Sequence, residues 1–101
     1  MGKHEIIGEP EALQRLKALA GWELDGVSIR RKFTFSGFTD AVAFVVRLGF
    51  DAEAADHHPD ILINYKRVTL SYSTHSEGGL TEKDFAGAAR ASELAAMMGG
   101  N

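Results

Sequence analysis

The chain has 101 residues, 45% of them hydrophobic and 25% charged, which is the size and composition of one globular domain spanning residues 1–101. It contains no cysteine, so disulfides, thiol nucleophiles and thiolate metal sites are excluded. A net charge of −3, and no apolar stretch near the roughly 18 residues of a membrane span, argue against nucleic-acid and membrane partners.

In chain order, MGKHEIIGEP lacks an apolar run of signal-peptide length, and Ile6 stands where an acylation motif wants Ser or Thr. A cytoplasmic location is expected, with His4 a solvated terminal residue. Glu9-Pro10-Glu11 opens a first helix, because proline and acidic residues suit the first turn. Leu13, Leu16, Leu19 and Ala20 keep helical spacing, and Gly21 ends it. Trp22-Glu23-Leu24 reads as a short strand and Asp25-Gly26 as a hairpin turn. From Val27 to Phe35 a strand alternates, with Val27, Ile29, Phe33 and Phe35 on one face, interrupted by Arg31. The basic run Arg30-Arg31-Lys32 therefore splits between faces instead of forming one patch.

Thr39 or Ser36 can cap the next helix, expected from Asp40 to about Ala55, with Val42, Phe44, Val45, Val46, Leu48 and Ala52 on a wide apolar face. Pro59 leaves His57 and His58 at or just beyond its C-terminal end. A second hairpin follows, Ile61 to Tyr65 and Val68 to Ser73, with Lys66-Arg67 near the turn and Asp60 opposite about Ser73. After His75 and a flexible Ser76-Glu77-Gly78-Gly79, Thr81 and Asp84 resemble a capping box. The last helix, from Glu82 to about Met98, buries Phe85, Ala89, Leu94 and Met97 or their neighbours, and Gly99-Gly100-Asn101 frays. Trp22, Phe33, Phe35 and Phe44 are core candidates. The order α-β-β-α-β-β-α predicts an α+β fold: a four-stranded antiparallel sheet with helices packed on one face. Such a sheet has open edges, so a homo-oligomer is expected.

Three of the four histidines gather in this second half of the chain: His57, His58 and His75, with Glu53, Asp56 and Asp84 around them. The second hairpin should bring His75 near His58, and Glu53 lies one helical turn before His57. Imidazoles titrate near neutral pH, so several of them with neighbouring carboxylates can supply an acid and a base together. The same residues read as helix-end caps or as a zinc set, although adjacent histidines seldom point at one ion and the common i, i+4 pair is missing. No nucleophile elbow and no phosphate-cradling glycine loop is present.

The spacing Glu53, His57-His58-Pro59, Tyr65, His75, Asp84 resembles the signature of the pterin-4a-carbinolamine dehydratases, also called 4a-hydroxytetrahydrobiopterin dehydratases. Trp22, Phe33-Thr34-Phe35 and Gly78-Gly79-Leu80-Thr81 agree with it, and the likeness runs from about Leu13 to Leu94. The resemblance implies an α+β fold and a lyase. That enzyme eliminates water from the 4a-hydroxytetrahydropterin released by aromatic amino acid hydroxylases and yields quinonoid dihydropterin, with no metal and no redox cofactor. It implies that His57 and His75 are the acid/base pair, with His58 binding the pterin and sharing proton work. Glu53, His58, Pro59 and Asp84 are then the pterin-binding set, with Glu53 and Asp84 either contacting the ring or supporting the histidines. It also implies a homodimer or homotetramer and, in some relatives, a protein partner: a transcription factor's dimerisation helices, or an assembly role with a decayed active site. Two positions depart from the pattern. Ile61 stands where many relatives carry an aromatic residue, and Lys83 where some carry Arg.

Overall fold

The structure, a computed structural model, describes residues 5–101; His4 lies outside them. The elements follow the expected order: α1 (Glu9–Leu16), β1 (Glu23–Asp25), β2 (Ser28–Thr34), α2 (Phe38–Ala55), β3 (Asp60–Asn64), β4 (Arg67–Tyr72) and α3 (Glu82–Met97), with a 3-10 turn at His75–Glu77. All four strands join one antiparallel sheet in the order β1-β2-β4-β3. Strand alternation turns Ile29 and Phe33 of β2, and Val68, Leu70 and Tyr72 of β4, to one buried side. There they pack with Phe44 and Leu48 of α2 and Ala88, Ala91 and Leu94 of α3, so the helices cover one face, as the α+β expectation required. Trp22 and Phe35 complete that core, and Trp22 Nε1–H donates to Ser92 Oγ at 2.7 Å.

Several boundaries moved, each for a local reason. Helix α1 stops at Leu16; Lys17, Ala18 and Leu19 continue as turns with i→i−3 hydrogen bonds, and Ala12 is buried while Leu13 is exposed. Arg31 interrupts the apolar face of β2 without an unpaired charge, because it lies over the Phe33 ring at 4.3 Å and donates to the Ala20 carbonyl at 2.8 Å. Helix α2 begins at Phe38 with Gly37 as N-cap, so neither Thr39 nor Ser36 caps it; the Ser36 hydroxyl donates to the Asp40 carboxylate instead. The buried stripe of α2 is narrower than expected, Ala41, Phe44, Leu48 and Ala52, and Val46 stands exposed. On α3 the buried apolar residues are Phe85, Ala88, Ala91, Leu94 and Ala95, while Ala89 and Met97 face solvent. The C-terminus does not fray: Asn101 and Thr34 exchange two backbone hydrogen bonds, of 2.9 and 3.0 Å.

The largest correction is the register of the second hairpin. Asp60 pairs with Ser71, not Ser73, because the turn residues are Tyr65 and Lys66, with Asn64 opposite Arg67. Tyr65 adopts a left-handed backbone, φ +54°, which ends the strand one residue early. Strand β4 consequently runs farther past the start of β3 before it reaches His75.

Candidate active site

The end of α2 sets the first two histidines. Asp56 takes a left-handed conformation, φ +53°, and the chain closes with bonds from Asp56 N–H to Glu53 O and from His57 N–H to Ala52 O, both 3.1 Å. This is a Schellman-type stop. It reverses the chain, so His57 leaves the helical screw and turns inward while His58 turns out. His58 Nε2–H donates to Glu53 Oε1 at 2.8 Å. Both partners of that pair are largely solvated, with 56% and 82% of their side-chain surfaces exposed. Glu53 thus serves His58, not the nearer-spaced His57.

His57 meets Asp84 instead. Its Nε2–H donates to Asp84 Oδ1 at 2.6 Å, and Asp84 is wholly buried. A buried carboxylate is tolerable only when hydrogen-bonded. Asp84 Oδ2 accepts from Thr81 N–H at 2.9 Å and from the Thr74 hydroxyl at 2.8 Å. The expected capping box of α3 is present, formed by Thr81 and Asp84. One carboxylate therefore caps a helix with one oxygen and holds an imidazole with the other.

Beside His57 lies the Tyr72 ring, stacked at 6.0 Å between centroids and 21° between planes. Tyr72 can lie there because residue 87 is glycine: a Cβ on Gly87 would come within 2.6 Å of the Tyr72 ring. Burial pushes the Tyr72 phenol well above its ordinary range, with the charges of Asp51 and Asp84 adding to the effect. It is neutral at physiological pH.

His75 opens the 3-10 turn after β4. The segment expected to be flexible is a closed turn: Thr74 and Gly79 bridge, Glu77 and Gly78 N–H groups return to Thr74 O at 3.0 Å, and Gly78 takes the φ of +74° that glycine accommodates without strain. His57, His58 and His75 all line one cleft of about 360 Å³, with Asp56, Ser73 and Lys83 among its other walls. A second, apolar cleft of about 160 Å³ lies between α2 and α3, and His57 and Lys83 belong to both. Glu53, Pro59 and Asp84 do not line the histidine cleft. Glu53 supports His58 at its rim, Pro59 follows His58 in the chain, and Asp84 stands behind His57. Among the described residues, no group of three or more His, Cys, Asp or Glu is arranged to hold a metal ion. Sequence reasoning missed Thr74, Tyr72 and Ser73. For Thr74 the signal existed: the inward alternation Val68, Leu70, Tyr72 continues to residue 74, and a threonine on a core face needs a polar partner.

Residues 6–94 match the family model described as pterin 4 alpha carbinolamine dehydratase. The chain belongs to that family. A Roseiflexus castenholzii protein carrying the provisional name pterin-4-alpha-carbinolamine dehydratase is 49% identical over 89 residues, covering 88% of this chain and 96% of its own. One from Chloroflexus aurantiacus with the same provisional name is 48% identical, covering 87% and 95%. The crystal structure of a transcriptional coactivator/pterin dehydratase from Brucella melitensis superposes with a TM-score of 0.85 at 38% identity, over 90% of this chain and 99% of that one. A pterin dehydratase-like protein identified as a RuBisCO assembly factor in the alpha-carboxysome shares the fold, with a TM-score of 0.60 at 24% identity, covering 73% and 86%.

Proposed function

We propose that this member of the pterin dehydratase family eliminates water from 4a-hydroxytetrahydrobiopterin, or a related 4a-hydroxytetrahydropterin, to give quinonoid dihydropterin in recycling of the pterin cofactor of aromatic amino acid hydroxylases. One observation carries the reading: imidazoles from two separate stretches, His57-His58 and His75, line a single cleft, and the innermost is anchored to a buried carboxylate. In the reaction the C4a–O bond breaks. The departing hydroxyl takes a proton from an imidazolium and leaves as water. A neutral imidazole takes the proton from a ring nitrogen, and the electron pair of that N–H bond forms the new C=N system. Atoms and charge balance without an oxidant, reductant or metal.

We assign the acid and base roles to His57 and His75, and give His58 the tasks of orienting the pterin and sharing the proton traffic. Glu53 holds His58. Asp84 is assigned to His57 and not to the substrate, since its carboxylate is buried behind the imidazole. General acid–base groups so placed supply roughly 10²–10⁴-fold each. The test is the dehydration rate of 4a-hydroxytetrahydropterin with wild type, His57→Ala and His75→Ala. Acceleration by wild type and its loss in both variants is expected. A wild type that does not accelerate the reaction sinks the activity, and two fully active variants sink the residue assignment.

A protein-interaction role is the second reading, favoured by the Brucella melitensis relative, described as a transcriptional coactivator/pterin dehydratase, and by apolar side chains left in solvent. Phe50 and Val46 on α2 are 75% and 55% exposed, and Leu62 on the edge strand β3 is 56% exposed. We propose that these serve first as contacts between copies of this chain, in a homodimer or homotetramer, since among the described residues no strand pairs with the outer edge of β3. Sedimentation of the purified protein tests that: a single monomeric species at micromolar concentration would refute it.

A further inference from the structure

Thr74 is nearly buried, and its side chain lies outside the acid–base scheme above. The core-facing alternation of Leu70 and Tyr72 continues to it, so its side chain points inward and the next residue, His75, is exposed. The Thr74 hydroxyl donates to Asp84 Oδ2 at 2.8 Å and lies 2.8 Å from the Thr81 hydroxyl.

A hydroxyl has one proton to give. The Thr74 proton goes to the carboxylate, so the proton between the two threonines belongs to Thr81. Thr81 Oγ1 in turn accepts from Lys83 N–H at 3.3 Å, and Thr81 N–H donates to Asp84 Oδ2 at 2.9 Å. Every donor in the chain points the same way, toward Asp84. With Oδ2 held by two donors, the carboxylate has one oxygen and one orientation left for His57 Nε2–H, at 2.6 Å. An acceptor in that position selects the Nε2–H tautomer of a neutral imidazole and leaves Nδ1 bare.

We propose that Thr74 is a positioning residue: its hydroxyl ties the capping box of α3 to His57, so that Nδ1 is the atom that exchanges protons with the ligand. The catalytic part of this rests on the dehydratase reading above; the positioning part does not. The same residue sets its neighbour as well, because Thr74 O receives the N–H groups of Glu77 and Gly78 that close the turn carrying His75. Thr74 is therefore bonded both to the carboxylate behind His57 and to the loop that presents His75.

The test uses the full ¹⁵N-labelled chain and long-range ¹H–¹⁵N correlation of the His57 ring, which separates protonated from bare nitrogens. Recorded at a pH where the ring is neutral, wild type should show a single tautomer, with Nε2 protonated and Nδ1 bare. Thr74→Val removes the hydroxyl at nearly constant volume. It should average the two nitrogen signals and lower kcat at least about tenfold, part of the roughly 10²–10⁴-fold that placed proton transfer supplies. KM should stay within about twofold, since uniform binding is untouched. Thr74→Ser should restore both signals and rate. A purely structural threonine would lower the unfolding midpoint of the valine variant and leave the ring signals of the folded protein unchanged, which overturns the proposal. Averaged tautomers in wild type overturn it as well, whether or not the valine variant folds. If wild type fails to dehydrate the pterin, the activity assignment falls, and the nitrogen signals still decide the role of Thr74.

Discussion

Gly87 sits inside α3, where a glycine is an expensive choice. Replacing it by alanine in an exposed helix interior ordinarily stabilises by about 0.8–1.0 kcal/mol. Here that gain should be cancelled or reversed. The new Cβ would stand 2.6, 2.9 and 3.1 Å from Cε1, Cζ and Cδ1 of Tyr72, where 3.4 Å or more is ordinary contact. The ring cannot step aside freely: it is 2% exposed, with Trp22 at 5.9 Å and the stacked His57 at 6.0 Å. Overpacking of this kind costs about 1–3 kcal/mol. The net effect of Gly87→Ala is therefore between no change and a loss of about 2 kcal/mol, up to roughly 8–16 °C in midpoint for a domain of this length. Urea unfolding gives the free energy, and the dehydration assay reports whether the displaced Tyr72 carries His57 with it, as a lowered kcat. The control is Tyr72→Leu, which takes away the rim of the ring. In that background Gly87→Ala should recover the helix-propensity gain of about 1 kcal/mol. A Gly87→Ala variant that is stabilised by the full propensity gain in the wild-type background, with unchanged kcat, would refute the reasoning.

Because burial raises the Tyr72 phenol above its ordinary pKa of 10.0, its contribution to stability is complete below pH 10 and is lost as pH climbs from 10 toward the folded value. Tyr72→Phe should lessen the alkaline fall in urea midpoint; parallel curves for the two proteins above pH 10 would contradict this. Glu53→Ala breaks a solvated pair, so it should change stability by less than about 1 kcal/mol and raise KM for the pterin more than it lowers kcat. Equal loss in kcat would place Glu53 in the chemistry itself. Asp56→Gly relieves a left-handed residue and a negative charge at a helix C-terminus, and should stabilise by about 1 kcal/mol in thermal unfolding; destabilisation would show that the aspartate side chain holds the turn.

The order of elements was legible in the sequence because its causes are local. Alternation in Val27 to Phe35, the acidic first turn with Pro10, and Pro59 behind the helix each act within a few residues. So does the Thr81–Asp84 capping box, and all four reappear in the structure, except that Val27 lies outside β2 and is exposed while Ile29, Phe33 and Phe35 are buried. The three-histidine cluster was visible for the same reason, since one helix end and one hairpin were enough to bring the residues together.

Partner choice was not legible, because it depends on where a turn sends the chain. The helical rule paired Glu53 with His57, but the left-handed Asp56 takes His57 off the helical screw, and Glu53 meets His58. A left-handed Tyr65 shifted the second hairpin so that Asp60 faces Ser71. Neither conformation is announced by its residue type. The sequence by itself determined which chemical groups this protein has and the elements that carry them. Only the tertiary structure decided that one oxygen of Asp84 closes a helix while the other holds His57, because that division of labour requires α2, β4 and α3 to meet at one buried point.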